Sequence, residues 1–264
     1  MVTVVTGASS GIGAAVARAL RRERPDAAIV LVARREPLLR TLASELGATY
    51  VVADLAEEDA PARVRAHLDE QHGGTLDLLV NNAGASWRAT FADGGYANVA
   101  RHMDVNFNAP VRLTEELLPL LRASAPGSAI VNVASVAGRV ARGGAGSYSA
   151  AKFALIGWSD ALHQEEKEHG VHVGLVLPGF IETEGFPAAE LTGRRATRWL
   201  VSSDDKAAAA ILDAGLRGKA ERYVPRPWGV VPALRAVAPA LLRRAGSGAV
   251  GKAALTKTGS GDAD

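Results

Sequence analysis

Short runs of β-branched and other apolar residues alternate along the chain with longer, alanine-rich stretches whose apolar positions recur at helical spacing. That alternation predicts repeated strand–helix–strand units, and with them a doubly wound, mostly parallel sheet carrying helices on both faces. Strands are expected near 2–6, 27–33, 49–53, 76–81, 128–134 and 171–177, with a short last one near 222–225. Helices are expected at about 11–24, 36–46, 57–71, 97–123, 147–169 and 203–217. The run AIVNVAS, Ala129 to Ser135, has almost no polar side, which suits a strand covered from above and below. No solenoid-type repeat and no linker breaks the pattern, so residues 1–245 are expected to form one α/β domain of about seven strands.

Two segments leave the alternation. Residues 180–200, FIETEGFPAAELTGRRATRWL, follow a strand end with irregularly spaced aromatics and read as a lid over a pocket. Residues 227–244, PWGVVPALRAVAPALLRR, are apolar with basic ends, too short to span a bilayer comfortably, and interrupted by Pro232 and Pro239. Two uses remain open for this second segment: packing over the lid or a neighbouring subunit, or weak peripheral contact with an anionic membrane surface. The small, turn-rich stretch 246–264 reads as a flexible tail.

Composition narrows the chemistry. The 264 residues include no cysteine, which excludes disulfides, thiolate nucleophiles and cysteine metal sites. Six histidines (His67, His72, His102, His163, His169 and His172) form no HExxH pattern and are expected mostly on outer helix faces, so no metal is expected. The first residues run straight into an apolar strand without a basic leader, so a cytoplasmic protein is expected, with surface membrane association as the variant. Net charge is only +2, and no nucleic-acid partner is expected, although nine Lys/Arg against one acid, Glu221, lie between Arg217 and Lys257.

Two local patterns carry chemistry. The first expected strand ends in TGASSGIG, Thr6 to Gly13, just before a helix. Glycines there let backbone approach a pyrophosphate closely, while the helix start offers N–H donors and the positive end of its dipole. In GSYSAAKFALIGW, Tyr148 and Lys152 stand four residues apart at the start of a helix. That spacing puts both on one face, about 6 Å apart along the axis, where an ammonium can lower a phenol's pKa toward neutrality.

TGASSGIG, NNAG at 81–84, VNF at 105–107, Ser135 in NVASVAG, YSAAK at 148–152 and PG at 178–179 occur in order. In order and spacing they resemble the short-chain dehydrogenase/reductase family, over roughly residues 2 to 225. The resemblance implies a Rossmann-type fold and an oxidoreductase interconverting a carbonyl and an alcohol. It implies Tyr148 as proton donor or acceptor, Lys152 as the lysine that tunes it and bonds the nicotinamide ribose, and Ser135 as the hydroxyl that stabilises the substrate oxygen. Asn106 would hold a water linking the lysine to solvent. Gly7, Ser9, Ser10, Gly11, Ile12 and Gly13 would form the cofactor loop, Asp54 and Leu55 would border the adenine, and Asn82, Ala83 and Gly84 would pass beneath the nicotinamide side. Pro178, Gly179, Ile181 and Thr183 would complete that end, with Thr183 on the carboxamide.

The end of the second strand offers Ala33, Arg34 and Arg35 where an NAD site usually holds an acid. Guanidiniums there suit the 2′-phosphate of NADP(H), which is therefore expected ahead of NAD(H); Ser10 departs from relatives that place a basic residue before the second glycine. Trp87, Ser135, Val136, Val140, Phe180, Ile181, Phe186 and Trp199 are expected around the substrate. That lining reads as apolar with few fixed charges, so a hydrophobic ketone, aldehyde or secondary alcohol is expected. The helices at 97–123 and 147–169 resemble the pair that builds the family's homodimer or homotetramer. A non-catalytic NADP(H)-binding sensor is the alternative; such proteins typically lack the tyrosine or the lysine, and both stand here.

Overall fold

A computed structural model describes residues 1–182 and 200–240. Its centre is a seven-stranded, all-parallel sheet in the order β3-β2-β1-β4-β5-β6-β9. In chain order the strands are β1 (Val2–Thr6), β2 (Ala28–Ala33), β3 (Thr49–Val52), β4 (Leu78–Asn81), β5 (Ala129–Val133), β6 (His172–Pro178) and, last, β9 (Glu221–Val224). Between β6 and β9 lie two short strands outside this sheet, β7 (Phe180–Glu182) and β8 (Val201–Ser203).

Crossovers are made by α1 (Gly11–Glu23), α2 (Glu36–Leu46), α3 (Ala60–His72), α4 (Phe91–Met103), α5 (Ala109–Ala123), α6 (Gly146–Glu166) and α7 (Asp204–Arg217). The period-two geometry of a strand sends neighbouring residues to opposite faces, and the core divides accordingly. Val5, Leu31 and Val131 meet Leu20, Leu39 and Ile211 on one face. Val4, Val30 and Ile130 meet Val64, Leu68, Leu113 and Leu117 on the other. Each fully buried leucine contributes about 1.5–3 kcal/mol, which explains strands with no polar side.

Strand order reverses between β1 and β4, so the loops after these two strands diverge and leave a crevice at their carboxyl ends. The glycine turn follows β1 and the NNAG segment ends β4, so both border that crevice.

Three local features depart from the sequence-based expectation. The helix expected at 97–123 begins at Phe91 and is not uniform: Gly95 kinks it at φ +52°, and residues Asp104–Asn108 form a π-helical turn before α5. The expected lid is tied at its two ends, where β7 and β8 pair in parallel, Phe180 with Val201 and Glu182 with Ser203. Beyond β9, a 3-10 turn at Arg226–Gly229 leads into α8 (Val230–Val237), a helix absent from the expected set, with Pro232 in its first turn. No helix among the described residues is long and apolar enough to cross a membrane. The tail expected at 246–264 lies outside the described residues.

Candidate active site at the carboxyl ends of the strands

The glycine turn is built around Thr6, the fully buried last residue of β1. Its hydroxyl donates to the Val80 carbonyl at 3.1 Å and accepts from the N–H groups of Asn82 and Ala83, each at 2.9 Å. The Asn82 side chain donates to the Thr6 carbonyl at 2.9 Å, so the ends of β1 and β4 are fastened to each other twice over. Gly7 turns the chain at φ +65°, and a Cβ on Gly13 would lie 2.3 Å from the Gly7 carbonyl. Only glycine lets α1 start that close to the turn. Ser10 stands at the N-cap without capping the helix through its side chain, and Gly11 and Ile12 follow it at the crevice. Asn81 is buried and donates to Thr114 and Asn132, and Asn132 in turn donates to Ser159, a polar chain through the core.

Arg34 and Arg35 are exposed at the end of β2. Arg35 reaches across to the glycine turn, donating to the Ser9 hydroxyl at 3.1 Å and to that of Ser10. Arg34 lies 3.4 Å from an Asp54 oxygen. The other Asp54 oxygen accepts from the Ala56 N–H at 3.0 Å, the turn-forming use of such a residue, and Leu55 beside it is buried. The residues therefore fit a dinucleotide: a close-packed glycine cradle for its pyrophosphate, with two guanidiniums at the rim.

Ser135, Tyr148, Lys152 and Asn106 come together beside this cradle. Tyr148 is partly buried, and Ser135 stands close enough to its phenol to favour loss of the proton. Ser135 itself donates to the Pro178 carbonyl at 3.3 Å and accepts from the Ala137 N–H at 3.1 Å. The Lys152 ammonium sits 5.8 Å from the Tyr148 ring centre and donates to the Val133 carbonyl at 2.9 Å. Asn106, wholly buried in the π-helical turn, accepts from the Ala85 N–H and donates to the Ala85 and His102 carbonyls. A Cβ on Gly84 would lie 2.8 Å from the Asn106 Oδ1 and 3.5 Å from the Lys152 Nζ, so Gly84 leaves the space that these two side chains share.

The electrostatics differ from the expected pair. Burial raises the Tyr148 pKa, against the opposing pull of the Ser135 hydrogen bond and of a positive charge that comes from Arg142. Lys152 is itself depressed to about 8 by burial. In the protein alone the lysine therefore does not bring the phenol toward neutrality, because taking a phenolate out of water costs more than its neighbours return.

Among the expected substrate-lining residues, Trp87 and Phe180 are partly exposed and Val140 is half-buried. Val136 and Ile181 belong to the core instead, Val136 with Leu155 and Leu177, Ile181 with Ile211. Thr183, Phe186 and Trp199 lie outside the described residues. The apolar reading of the lining also needs correction, since Arg142 stands close enough to Tyr148 to influence its proton, with its guanidinium carbon 5.3 Å from the Phe180 ring centre.

His102 is an exception to the expectation that the histidines lie mostly on outer faces. Fully buried, it hydrogen-bonds the Asn98 carbonyl through Nδ1 at 2.7 Å and accepts from the Trp87 N–H through Nε2 at 3.0 Å. That pairing holds one neutral tautomer, in keeping with a pKa lowered by burial. Its ring meets Trp87 at 5.0 Å and Tyr148 at 6.2 Å, both edge-on. The one sequence signal was its position four residues before Asn106, one helical turn away on the same face. Trp228, from the 3-10 turn, packs on the Pro-Gly corner: a Cβ on Gly179 would lie 2.3 Å from its indole nitrogen, and Phe180 meets its ring edge-on at 5.9 Å.

Parallel-sheet architecture, a glycine turn at the strand-order reversal and a serine, tyrosine and lysine beside it define a Rossmann-type oxidoreductase. Residues 1–191 match the family described as short chain dehydrogenase, and the chain belongs to the short-chain dehydrogenase/reductase family, whose members bind NAD(P)(H). It is 39% identical over 190 residues to SadH of Mycobacterium tuberculosis, which is named as an oxidoreductase, covering 69% of this chain and 67% of that one. It is 34% identical over 186 residues to a protein of Nostoc named ketoacyl reductase HetN, covering 69% and 64%. The chain thus spans about two thirds of the length of these curated relatives. A crystal structure of a short-chain dehydrogenase from Streptomyces avermitilis superposes with a TM-score of 0.75 at 29% identity, covering 92% of this chain and 97% of that one.

Proposed function

We propose that the protein is an NADP(H)-dependent oxidoreductase that interconverts a carbonyl and a secondary alcohol on a largely hydrophobic substrate. The observation that carries the reading is the gathering of Tyr148, Ser135 and Lys152, with the Lys152 ammonium 5.8 Å from the Tyr148 ring centre and Ser135 acting on its phenol. Bound at the glycine turn, the nicotinamide would supply or accept the hydride. The turn from Gly7 to Gly13 would hold the pyrophosphate, Arg34 and Arg35 the 2′-phosphate, and Asn82 to Gly84 the floor beneath the ring.

Tyr148 gives its proton to the substrate oxygen in reduction and takes it back in oxidation. Its raised pKa keeps the phenol protonated at neutral pH, the state that reduction requires. Ser135 donates a hydrogen bond to the oxygen as negative charge develops there. Lys152, anchored on the Val133 carbonyl, faces Asn106 across the space at Gly84, and from there a water can return protons to the site.

Support for the phosphate-bearing cofactor comes from Arg35, which already spans from β2 to Ser9 and Ser10 and so fills the place left by the missing basic residue in the turn. Oligomerisation through α5 and α6, as dimer or tetramer, belongs to the same reading, and sedimentation of the purified chain tests it. The activity is tested by following NADPH absorbance against a panel of ketones and aldehydes, with NADH at equal low concentration alongside. Turnover with NADPH, abolished in Tyr148→Phe while nucleotide binding persists, is the expected result. A clear preference for NADH would overturn the cofactor assignment, and full turnover by Tyr148→Phe would overturn the mechanism.

A further inference from the structure

Arg142 is a half-buried cation. Among the described residues no carboxylate hydrogen-bonds or ion-pairs with it. A second cation is brought close instead: the Ala89 N–H donates to the Gly144 carbonyl at 3.2 Å, which fastens the loop carrying Arg88 to the loop carrying Arg142. Arg88 and burial both act against the Arg142 charge. A guanidinium cannot shed its proton to escape such a place, and a desolvated charge without a partner is costly. Among the described residues no carboxylate offsets that cost, and an anionic ligand would.

The position of that charge matters. Arg142 lies over the Phe180 ring and within electrostatic reach of Tyr148. It also borders a hollow of about 390 Å³ between α4 and the start of α6, whose wall includes Phe91, Val99 and Ala150. Phe91 is 76% exposed there, a large apolar side chain with no covering among the described residues.

We infer that Arg142 anchors an anionic group of the substrate, a carboxylate first of all, while the hollow along α4 receives an apolar chain. The substrate class is then an amphipathic oxo-acid or hydroxy-acid rather than a neutral ketone. The planar fork suits a carboxylate with two parallel hydrogen bonds, and the partly desolvated setting strengthens the attraction. This inference rests on the oxidoreductase reading for its reaction, though not for its binding site.

The test compares a medium-chain oxo-carboxylate with its methyl ester, using NADPH, in wild type, Arg142→Met and Arg142→Lys. Loss of one charge-assisted contact is expected to lower kcat/KM for the acid about tenfold or more in Arg142→Met. Any loss on the ester, which reports only the altered Tyr148 proton, is expected to be several-fold smaller than the loss on the acid, and Arg142→Lys is expected to recover part of the difference. Calorimetric titration with the alkanoate of equal length, which has no carbonyl to reduce, is expected to show saturable binding to wild type and none to Arg142→Met. An ester used as well as the acid by wild type, an equal loss on both in Arg142→Met, or alkanoate binding indifferent to Arg142 would each overturn the inference. If neither ketone is turned over but alkanoate binding depends on Arg142, the anion site stands and the redox reading falls.

Discussion

Tyr148 is an acid whose strength is set by burial on one side and by Ser135 and Arg142 on the other. Removing either opposing neighbour should raise its ionisation further. In Ser135→Ala and in Arg142→Met, the tyrosinate absorbance assigned to Tyr148, by difference from Tyr148→Phe, is expected to appear at higher pH than in wild type. An unchanged midpoint in both variants would mean that the phenol does not feel them. Arg35 offers a second test at this scale. Losing its reach to Ser9 and Ser10 should weaken NADPH binding about tenfold while leaving NADH nearly unaffected, as measured by fluorescence titration of Arg35→Ala.

At the scale of elements, the site depends on places where regular structure is interrupted. The π-helical turn at Asp104–Asn108 inserts an extra residue into what would otherwise run continuously from α4 to α5, and Asn106 is carried inward by it. The start of α1 depends on Gly13 in a similar way. A methyl group there would meet the Gly7 carbonyl, which is backbone and cannot swing aside. Gly13→Ala is therefore expected to cost about 1–3 kcal/mol in a urea titration and to abolish nucleotide binding. Core positions in the helices respond differently. Leu117→Ala, in the fully buried cluster of α5, is expected to cost about 2–5 kcal/mol while leaving nucleotide affinity intact in the protein that remains folded.

For the whole molecule, Lys152 links the site to stability. Its amine ionises near pH 8 in the folded protein, against 10.5 when exposed. Below pH 8 both states carry the proton, and the folded state bears the cost of the buried charge. Between about pH 8 and 10.5 only the unfolded chain still holds it, so this lysine makes the cofactor-free protein more stable as pH rises, by up to about 3 kcal/mol. Denaturation midpoints across that window should rise in wild type relative to Lys152→Met; parallel curves would show that the charge costs nothing. The carboxyl-terminal segment acts at the same scale. Trp228 on the Gly179 corner and Arg235, which donates to the Arg139 carbonyl and lies 4.6 Å from the Phe153 ring centre, draw it against the site. Packing of this kind predicts no co-sedimentation with liposomes, anionic or neutral, whereas an interfacial role predicts binding to the anionic ones.

Most of the sheet, the glycine turn and the serine, tyrosine and lysine were legible from the sequence, because local periodicity and close spacing follow from backbone geometry alone. Val4 and Val5, or Ile130 and Val131, announce two covered faces before any contact is known. What spacing could not show was which side chains from distant segments share one volume. His102 looked like any helical histidine until α4 was packed against Tyr148, and Arg142 carried no signal in the sequence, since only the folding of its loop over Phe180 withdrew it from water. The strength of Tyr148 belongs to the same category. Spacing placed an ammonium beside the phenol, but burial is a property of the assembled molecule, and burial outweighs the neighbour. Sequence determined the elements and the reacting groups; tertiary structure decided their surroundings, because desolvation and long-range contact exist only once the layers have closed.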